Sequence, residues 1–178
     1  MTGVVETQNA SRERLDELLD DLGHADGGVR HRARVALVTA GDVAVPGLIR
    51  ALASNNSDAR WEAAKALTEM RDERAIPALL DALRDDRPGV RWLAAQAVAE
   101  MGQTALEPVL LGLMQHSHSV WHRDGSHHIL AVLGRGALHD AIQPVLKALD
   151  SIEPEIAVLV PCRELLAKLR EAAGEDQG

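Results

Sequence analysis

The sequence predicts an all-α fold, an α-solenoid or superhelix of about four to five antiparallel helix pairs. The first observation is a repeat, because Val29-Arg30, Ala59-Arg60 and Val90-Arg91 recur at spacings of 30 and 31 residues. The second is a proline that keeps this period, at Pro46, Pro77 and Pro108. The third is composition: 46% of the residues are hydrophobic although Phe and Tyr are absent, so the core must be built from small side chains that let helices approach closely.

Each unit reads as a helix A, a short turn and a helix B. Apolar residues in helix A fall at i, i+3, i+4 and i+7, which places them on one helical face, as for Ala63, Ala66, Leu67 and Met70. The same spacing recurs 31 residues later, over residues 94–101. The turns are expected at Gly41, at Arg71-Asp72 and at Gly102. Helix B then carries its proline in the first turn, where the missing N–H costs nothing.

The units divide the chain into one domain. Residues 1–10 and 173–178 are polar and are expected to be disordered tails. Residues 11–25 predict a terminal capping helix with Ser11 as its N-cap. The repeats are expected at about residues 26–56, 57–85, 86–117 and 118–151, followed by a half repeat at 152–172. In this half repeat the helix-A spacing continues at Val158, Leu165, Leu166 and Leu169.

The fourth unit departs from the others. Pro144 lies ten residues after Gly134, whereas Pro108 lies six residues after Gly102. We therefore expect a longer turn inside this unit, containing Arg135, Gly136, His139 and Asp140.

The recurring pattern D/G-x-V-R-x-x-A-x-x-A-L-x-x-M/L-G, followed by A-x-P-x-L-x-x-A-L, covers about residues 26–170. It resembles the short HEAT repeats named after phycobilisome lyases. The resemblance implies a right-handed solenoid with helices A outside and helices B lining a concave face that grips another protein. A relation to the bilin lyases and isomerases would imply a tetrapyrrole, or its carrier protein, held near Trp92, Trp121 and the histidines.

Four arginines occupy one repeat position: Arg30, Arg60, Arg91 and Arg123. In HEAT-like proteins such residues form a ladder with acidic groups of neighbouring repeats, and Asp26, Asp58 and Asp86 lie nearby in sequence. Because a guanidinium has five donors, it is well suited to tying successive loops together. The alternative is an anion-binding site.

Two groups of residues predict partner contacts. Trp61 and Trp92 are 31 residues apart, so stacking of the repeats places them one layer apart on the same edge. Together with Trp121 they predict an aromatic edge of the kind that dominates protein interfaces, the alternative being half-buried packing. Outward positions of the helices B give a second set, Arg50, Asp81 and Val109.

Histidines are concentrated in the fourth unit, where six of the eight lie between residues 116 and 139: His116, His118, His122, His127, His128 and His139. Asp124, His127 and His128 stand at i, i+3 and i+4, and His122 lies half a turn earlier. A site for Zn, Fe or Ni built from these residues is conceivable. The alternatives are hydrogen bonding to the inserted turn, a partner contact, or a pH-responsive surface.

Composition excludes several function classes. The formal net charge is −8, with 27 acidic and 19 basic residues, which disfavours nucleic acid as a partner. No window approaches 18 consecutive apolar residues, so no membrane span is expected. The single Cys162 cannot form an intramolecular disulfide and reads as a small core residue, so the cytoplasm is the expected location.

Sequence motifs for nucleophilic, metal-dependent or nucleotide-dependent catalysis are absent, and no cofactor is expected. The sequence therefore predicts a non-catalytic scaffold or adaptor that binds a protein or peptide on its concave helix-B face. We expect it to be a monomer or a weak homodimer. The alternatives are a subunit or relative of a bilin lyase or isomerase, and a metal-binding protein that uses the histidine cluster.

Overall fold

The computed structural model describes the backbone of residues 2–175 and the side chains of residues 11–173. All regular structure in residues 2–175 is helical, which confirms the predicted all-α fold class. The α-helices are α1 (Thr2–Asp21), α2 (Gly27–Ala40), α3 (Val45–Ala51), α4 (Ser57–Met70), α5 (Ile76–Ala82), α6 (Pro88–Glu100), α7 (Leu106–Gln115), α8 (Val120–Leu133), α9 (His139–Leu149), α10 (Pro154–Ala157) and α11 (Leu159–Glu175).

The helices form four A–B pairs, α2–α3, α4–α5, α6–α7 and α8–α9. The A helices stack in the order α2, α4, α6 and α8, and each packs against the next. The B helices lie on the other side of this stack, where α5 packs against both α6 and α7. At the N-terminal end α1 covers α2 and α3. The result is the predicted α-solenoid, with a core that runs along the layers rather than around one centre.

Small side chains let the A helices approach one another. Ala63, Ala66 and Leu67 of α4 are completely buried, and so are their counterparts one repeat later, Ala94, Ala97 and Val98. Met70 and Met101 pack against this core from the helix ends. The alanines lose no side-chain rotamer freedom on burial, so the stack gains dispersion contacts at low entropic cost.

The chain leaves the first three A helices through residues with positive φ, Gly41 (68°), Arg71 (53°) and Gly102 (71°). This left-handed conformation ends a helix and favours glycine, so Arg71 is the strained member of the series. A single turn of 3₁₀ helix begins at Gly41 and at Gly102, and just after Arg71 at Glu73, and leads into helix B.

Side chains at the repeat boundaries fix the starts of the A helices. Asp26 Oδ1 accepts a hydrogen bond from the N–H of Gly28 at 2.6 Å, and Asn56 Oδ1 accepts one from Asp58 at 2.9 Å. Ser119 caps α8 in the same way, whereas α6 begins with Pro88. Each cap satisfies an N–H that the helix itself leaves without a partner.

The two ends of the chain differ from the sequence expectation. The structure begins α1 at Thr2, so Ser11 lies inside this helix and is not its cap. The preceding residues 2–10 contain no proline that would stop a helix. At the C-terminus α11 runs to Glu175, into the segment expected to be a tail. The remaining tail positions, Met1 and residues 176–178, lie outside the described part of the chain.

The turn inside the fourth unit is longer than those of the other units, as predicted, but it ends earlier than the sequence suggests. It spans residues 134–138, and His139 and Asp140 already belong to the first turn of α9. Pro144 therefore lies inside α9, which corrects the expectation of a proline in the first turn of every helix B. The early start of α9 explains this difference, because it places five helical residues before the proline.

The helix α11 takes an unexpected position. Val158, Leu165 and Leu166 are buried and Leu169 is partly buried, as their helix-A spacing indicates, and Cys162 is buried beside them. However, α11 packs against α7 and α9, which are both B helices. Arg170 of α11 also reaches Glu107 of α7 with an Nη2–Oε1 distance of 2.7 Å. The C-terminal helix thus folds back and covers part of the helix-B surface of the third and fourth units.

Candidate functional site

The four repeat arginines make one recurring contact. In each case Nη1 donates a hydrogen bond to the backbone carbonyl six residues earlier: His24 for Arg30 (2.7 Å), Ser54 for Arg60 (3.0 Å), Asp85 for Arg91 (2.8 Å), and Ser117 for Arg123. These carbonyls belong to the loops between repeats. Each arginine therefore fixes the loop that leads into its own repeat.

Two of these arginines also contact carboxylates that lie in or after the next loop between repeats. Arg60 Nε lies 2.6 Å from Asp85 Oδ2, and its Nη2 donates to Asp85 Oδ1 and to Asp86. The hydrogen bond to Asp85 raises the pKa of Arg60 above its already high ordinary value. Burial opposes ionisation of Asp85, but the hydrogen bonds from Arg60 and from the Arg87 N–H outweigh it and lower the pKa of Asp85. Arg30 Nη1 lies 3.6 Å from Asp58, so its contact is looser.

A buried ion pair links α2 to α4. Arg34 Nε donates to Glu62 Oε2 at 3.0 Å, and both side chains are buried. The remaining donors of Arg34 contact Glu69 and His31. The repeat pattern does not predict this pair, although Arg34 lies one helical turn after the repeat arginine Arg30. The pair therefore connects the first repeat to the second.

The three tryptophans lie in very different environments. Trp61 is partly buried, with Lys65 Nζ 4.8 Å from its ring centre and Gly89 packed against its edge. Trp92 is 60% exposed and Trp121 is 47% exposed. The guanidinium of Arg91 lies 4.4 Å from the centre of the Trp121 ring. Two large apolar side chains of neighbouring repeats thus face solvent near each other.

Trp92 and Trp121 flank a cleft between α6 and α8, which we call the tryptophan cleft. Its volume is about 240 Å³, and its walls are formed by Pro88, Trp92, Ala95, Trp121, Gly125 and His128. Arg91 and Asp124 contribute the charged groups. The cleft is mostly apolar and can accept a side chain of a binding partner.

The histidines are not brought together as one metal site. His127 Nε2 lies 3.3 Å from Asp150, His139 Nδ1 lies 3.0 Å from the Gly134 carbonyl, and His128 lines the tryptophan cleft with Asp124. His122 is completely buried. Among the described side chains no three His, Cys, Asp or Glu groups are placed to hold a metal ion. Successive residues of α8 point about 100° apart around the helix, which separates these imidazoles.

His122 occupies the repeat position of Val90, which is likewise completely buried. Its ring packs over Gly112 of α7, and the ring of His116 meets it edge-on with centroids 5.1 Å apart. Burial, assisted by the charges of His116 and Arg84, lowers the pKa of His122 to about 4. The imidazole is therefore neutral at physiological pH.

The comparisons with known proteins agree with this architecture. Residues 15–97, just under half of the chain, match the family model for HEAT repeats. The described chain is an α-solenoid, and residues 15–97 of it are similar to HEAT repeats. No curated protein matches the chain. Within residues 2–175 none of the helices is long and apolar enough to cross a membrane.

Of the three helix-B residues predicted to contact a partner, only two are exposed. Arg50 and Asp81 are exposed. Val109 is completely buried, which corrects its assignment to the partner surface. It is buried because α7 is enclosed by α5, α8 and the returning α11. Cys162 is buried as well, and burial raises the pKa of its thiol to about 12, which is unsuited to a nucleophile.

Proposed function

We propose that the protein is a non-catalytic scaffold that binds a partner polypeptide at the tryptophan cleft. The observation that carries this proposal is the exposure of Trp92 and Trp121 on adjacent A helices, with a cleft between them. Exposing two tryptophans to water is costly for an isolated domain, and tryptophan is among the residues that contribute most to protein interfaces. Repeat solenoids present extended surfaces of this kind to other proteins.

The concave helix-B face, which the sequence predicts as the main surface, becomes the second candidate. Part of that face is covered by α11, which packs against α7 and α9. The remaining open part lies along α3 and α5, where Arg50 and Asp81 are exposed. Both residues remain predicted partner contacts, but this part of the helix-B face has no exposed aromatic side chains comparable to those of the tryptophan cleft.

The chemistry of the cleft indicates the kind of partner. Its walls favour an apolar side chain, and the chain as a whole carries a formal net charge of −8. A partner segment with an apolar residue flanked by basic residues fits both properties. The relation to bilin lyases stays a prediction from the sequence resemblance, because no feature of the cleft favours a tetrapyrrole over a polypeptide.

The experiment compares proteins captured from native lysate by the wild type and by Trp92→Ala and Trp121→Ala. Val35→Ala is the matched control, since Val35 is an apolar residue of α2 that is 45% exposed outside the cleft. We expect a saturable partner that binds the wild type and Val35→Ala but is lost from both tryptophan variants. Equal capture by all four proteins would contradict the proposal.

A further inference from the structure

At the position that directly follows the repeat arginine, α4 carries Trp61 and α6 carries Trp92. In α4, Lys65 stands one helical turn after Trp61, and its Nζ lies 4.8 Å from the centre of the Trp61 ring. In α6 the position of Lys65 is taken by Gln96, whose Nε2 donates to Glu100 at 3.1 Å. Within the described side chains no cationic group lies over the Trp92 ring, in contrast to its counterpart one repeat earlier.

The space beside Trp92 is open, whereas the space beside Trp61 is filled. A Cβ atom added at Gly89 of α6 would lie 3.4 Å from Cδ1 and Nε1 of Trp61, so this glycine lets the Trp61 ring lie against α6. One repeat later the place of Gly89, two residues before the repeat arginine, is taken by Trp121. The indole of Trp121 leaves no room for Trp92 to lie against α8 in the same way, in agreement with the 60% exposure of Trp92.

Asp124 supplies a charge without a partner in the tryptophan cleft. It lies one helical turn after Trp121 on α8 and lines the cleft. It is exposed, and no donor of residues 11–173 forms a hydrogen bond or an ion pair with its carboxylate. Arg91, the other charged group of the cleft, already donates to two loop carbonyls and lies on the Trp121 ring. The cleft therefore presents an unpaired negative charge beside its aromatic walls.

We infer that the tryptophan cleft binds the side chain of a lysine or arginine from the partner polypeptide, with its cationic group between Trp92 and Asp124. The face of an indole attracts a cation, and the carboxylate adds an opposite charge. The aliphatic stem of such a side chain would lie against Pro88 and Ala95. This inference rests on the proposed function of binding a polypeptide at this cleft, and it gives the basic residue of the partner segment its place.

The same carboxylate disfavours other occupants. A glutamate or aspartate side chain would meet the like charge of Asp124 and the negative faces of the indoles. An apolar side chain alone would remove water from Asp124 without offering it a hydrogen bond, which costs free energy. A lysine or arginine side chain suits both the apolar walls and the carboxylate.

The test follows the indole N–H signals of the full chain by ¹H–¹⁵N NMR at constant ionic strength. The Trp92 signal is the one that the Trp92→Ala variant lacks. The probes are N-acetyl-lysine methylamide and its arginine counterpart, with the norleucine and glutamate derivatives as neutral and acidic comparisons. We expect a saturable shift of the Trp92 signal with both basic probes, binding of the norleucine probe weaker by at least about threefold, and no shift with the glutamate probe.

Two results with these probes would overturn the inference. One is an unchanged Trp92 signal up to the solubility limit of the basic probes. The other is equal affinity for the norleucine and lysine probes, because the walls of the cleft would then bind the stem without any contribution from the charge.

A charge-neutralising substitution connects the response to Asp124. Asp124→Asn keeps the shape of the side chain, and we expect it to weaken the lysine probe about three- to fivefold while leaving the norleucine probe unchanged. Asp140→Asn is the matched control, since Asp140 is an exposed carboxylate of α9 outside the cleft. Equal affinity of wild type and Asp124→Asn for the lysine probe would refute the assignment.

Gln96→Lys tests the face of Trp92. It places a lysine one helical turn after Trp92, as Lys65 stands after Trp61, and this lysine should compete with the lysine probe and weaken it. Gln103→Lys is the control, because it adds the same charge at an exposed position beyond the end of α6. Equal weakening by both substitutions would contradict binding over the Trp92 ring.

The capture experiment with Trp92→Ala and Trp121→Ala keeps the two proposals separate. A partner that is lost from both tryptophan variants but is bound equally by wild type and Asp124→Asn would support the cleft as the binding site and overturn the basic residue within it. Equal capture by the tryptophan variants and wild type would contradict the proposed function, whatever the small probes show.

Discussion

The guanidinium of Arg91 in α6 lies 4.4 Å from the centre of the Trp121 ring in α8. The same guanidinium donates hydrogen bonds to the carbonyls of Asp85 at 2.8 Å and Asp86 at 3.3 Å. At the corresponding place one repeat earlier, Arg60 meets carboxylates. Arg91 thus joins the loop between repeats to the exposed tryptophan. Holding this ring in one orientation lowers the entropy that a binding partner must remove.

Replacing Arg91 tests this double role. Arg91→Ala removes two hydrogen bonds to the loop and one cation–π contact, and we expect a loss of about 1–2 kcal/mol in the free energy of unfolding. Urea titration followed by circular dichroism measures it. The exposed Arg32→Ala is the control and should change stability by less than about 0.5 kcal/mol. Equal effects of the two substitutions on the free energy of unfolding would show that the contacts of Arg91 do not stabilise the fold.

The buried pair of Arg34 and Glu62 gives a second prediction. Glu62→Ala leaves the buried guanidinium with fewer partners, and we expect it to cost about 2–4 kcal/mol. The double variant Arg34→Leu, Glu62→Leu removes both charges and should cost less than Glu62→Ala alone. A double-mutant cycle from denaturant titrations measures the coupling between the two residues. Additive effects would contradict a direct clamp between α2 and α4.

Stability should depend on pH through His122. Its pKa is about 4 in the folded protein and about 6.5 when unfolded, so the unfolded chain binds the proton more readily between these values. The free energy of unfolding therefore keeps its full value above pH 6.5. It falls as the pH is lowered toward 4, by about 3 kcal/mol at most.

Thermal unfolding of the wild type and of His122→Leu between pH 7 and pH 4.5 measures this dependence. The variant should show a clearly smaller loss of stability over the same range. Asp58 and Asp85, whose pKa values are lowered by arginine hydrogen bonds, add a loss in both proteins at the acidic end. Identical pH profiles for the two proteins would mean that His122 does not resist protonation in the fold.

The left-handed turn residues predict opposite effects at equivalent positions. Arg71 has φ 53°, so Arg71→Gly should stabilise the protein by about 0.5–1 kcal/mol despite losing the exposed contact with Glu100. Gly102 has φ 71°, and Gly102→Ala should cost about 1 kcal/mol. Melting temperatures measure both effects. The same sign for both substitutions would contradict this account of the turns.

Much of the fold could be predicted from the sequence because the repeat imposes the same apolar spacing and turn position on successive units. The position of α11 could not. Its buried residues Cys162 and Leu165 keep the helix-A spacing, but such spacing shows that one face is buried and not which helix covers it. The beginning of α1 differs from the expectation because Ser11, although a good cap residue, lies inside the helix Thr2–Asp21.

The candidate sites were predictable to different degrees. Residue type and repeat position predict Trp92, and residue type alone predicts Trp121, but the contact between Trp121 and Arg91 depends on side-chain geometry. The burial of His122 follows from its alignment with Val90, whereas the concentration of histidines in this unit predicts a metal site instead. Gly112 was visible only as a small residue, since its proximity to His122 arises from the packing of α7 against α8.

The most direct test of the scaffold proposal is the affinity of the purified captured partner for wild type, Trp92→Ala and Trp121→Ala, measured by calorimetry. If the tryptophan cleft is the binding site, each substitution should weaken binding at least about tenfold, as expected for a central interface tryptophan. The Val35→Ala control should bind like the wild type. Unchanged affinity of both tryptophan variants would contradict the account and place the partner on another face of the solenoid.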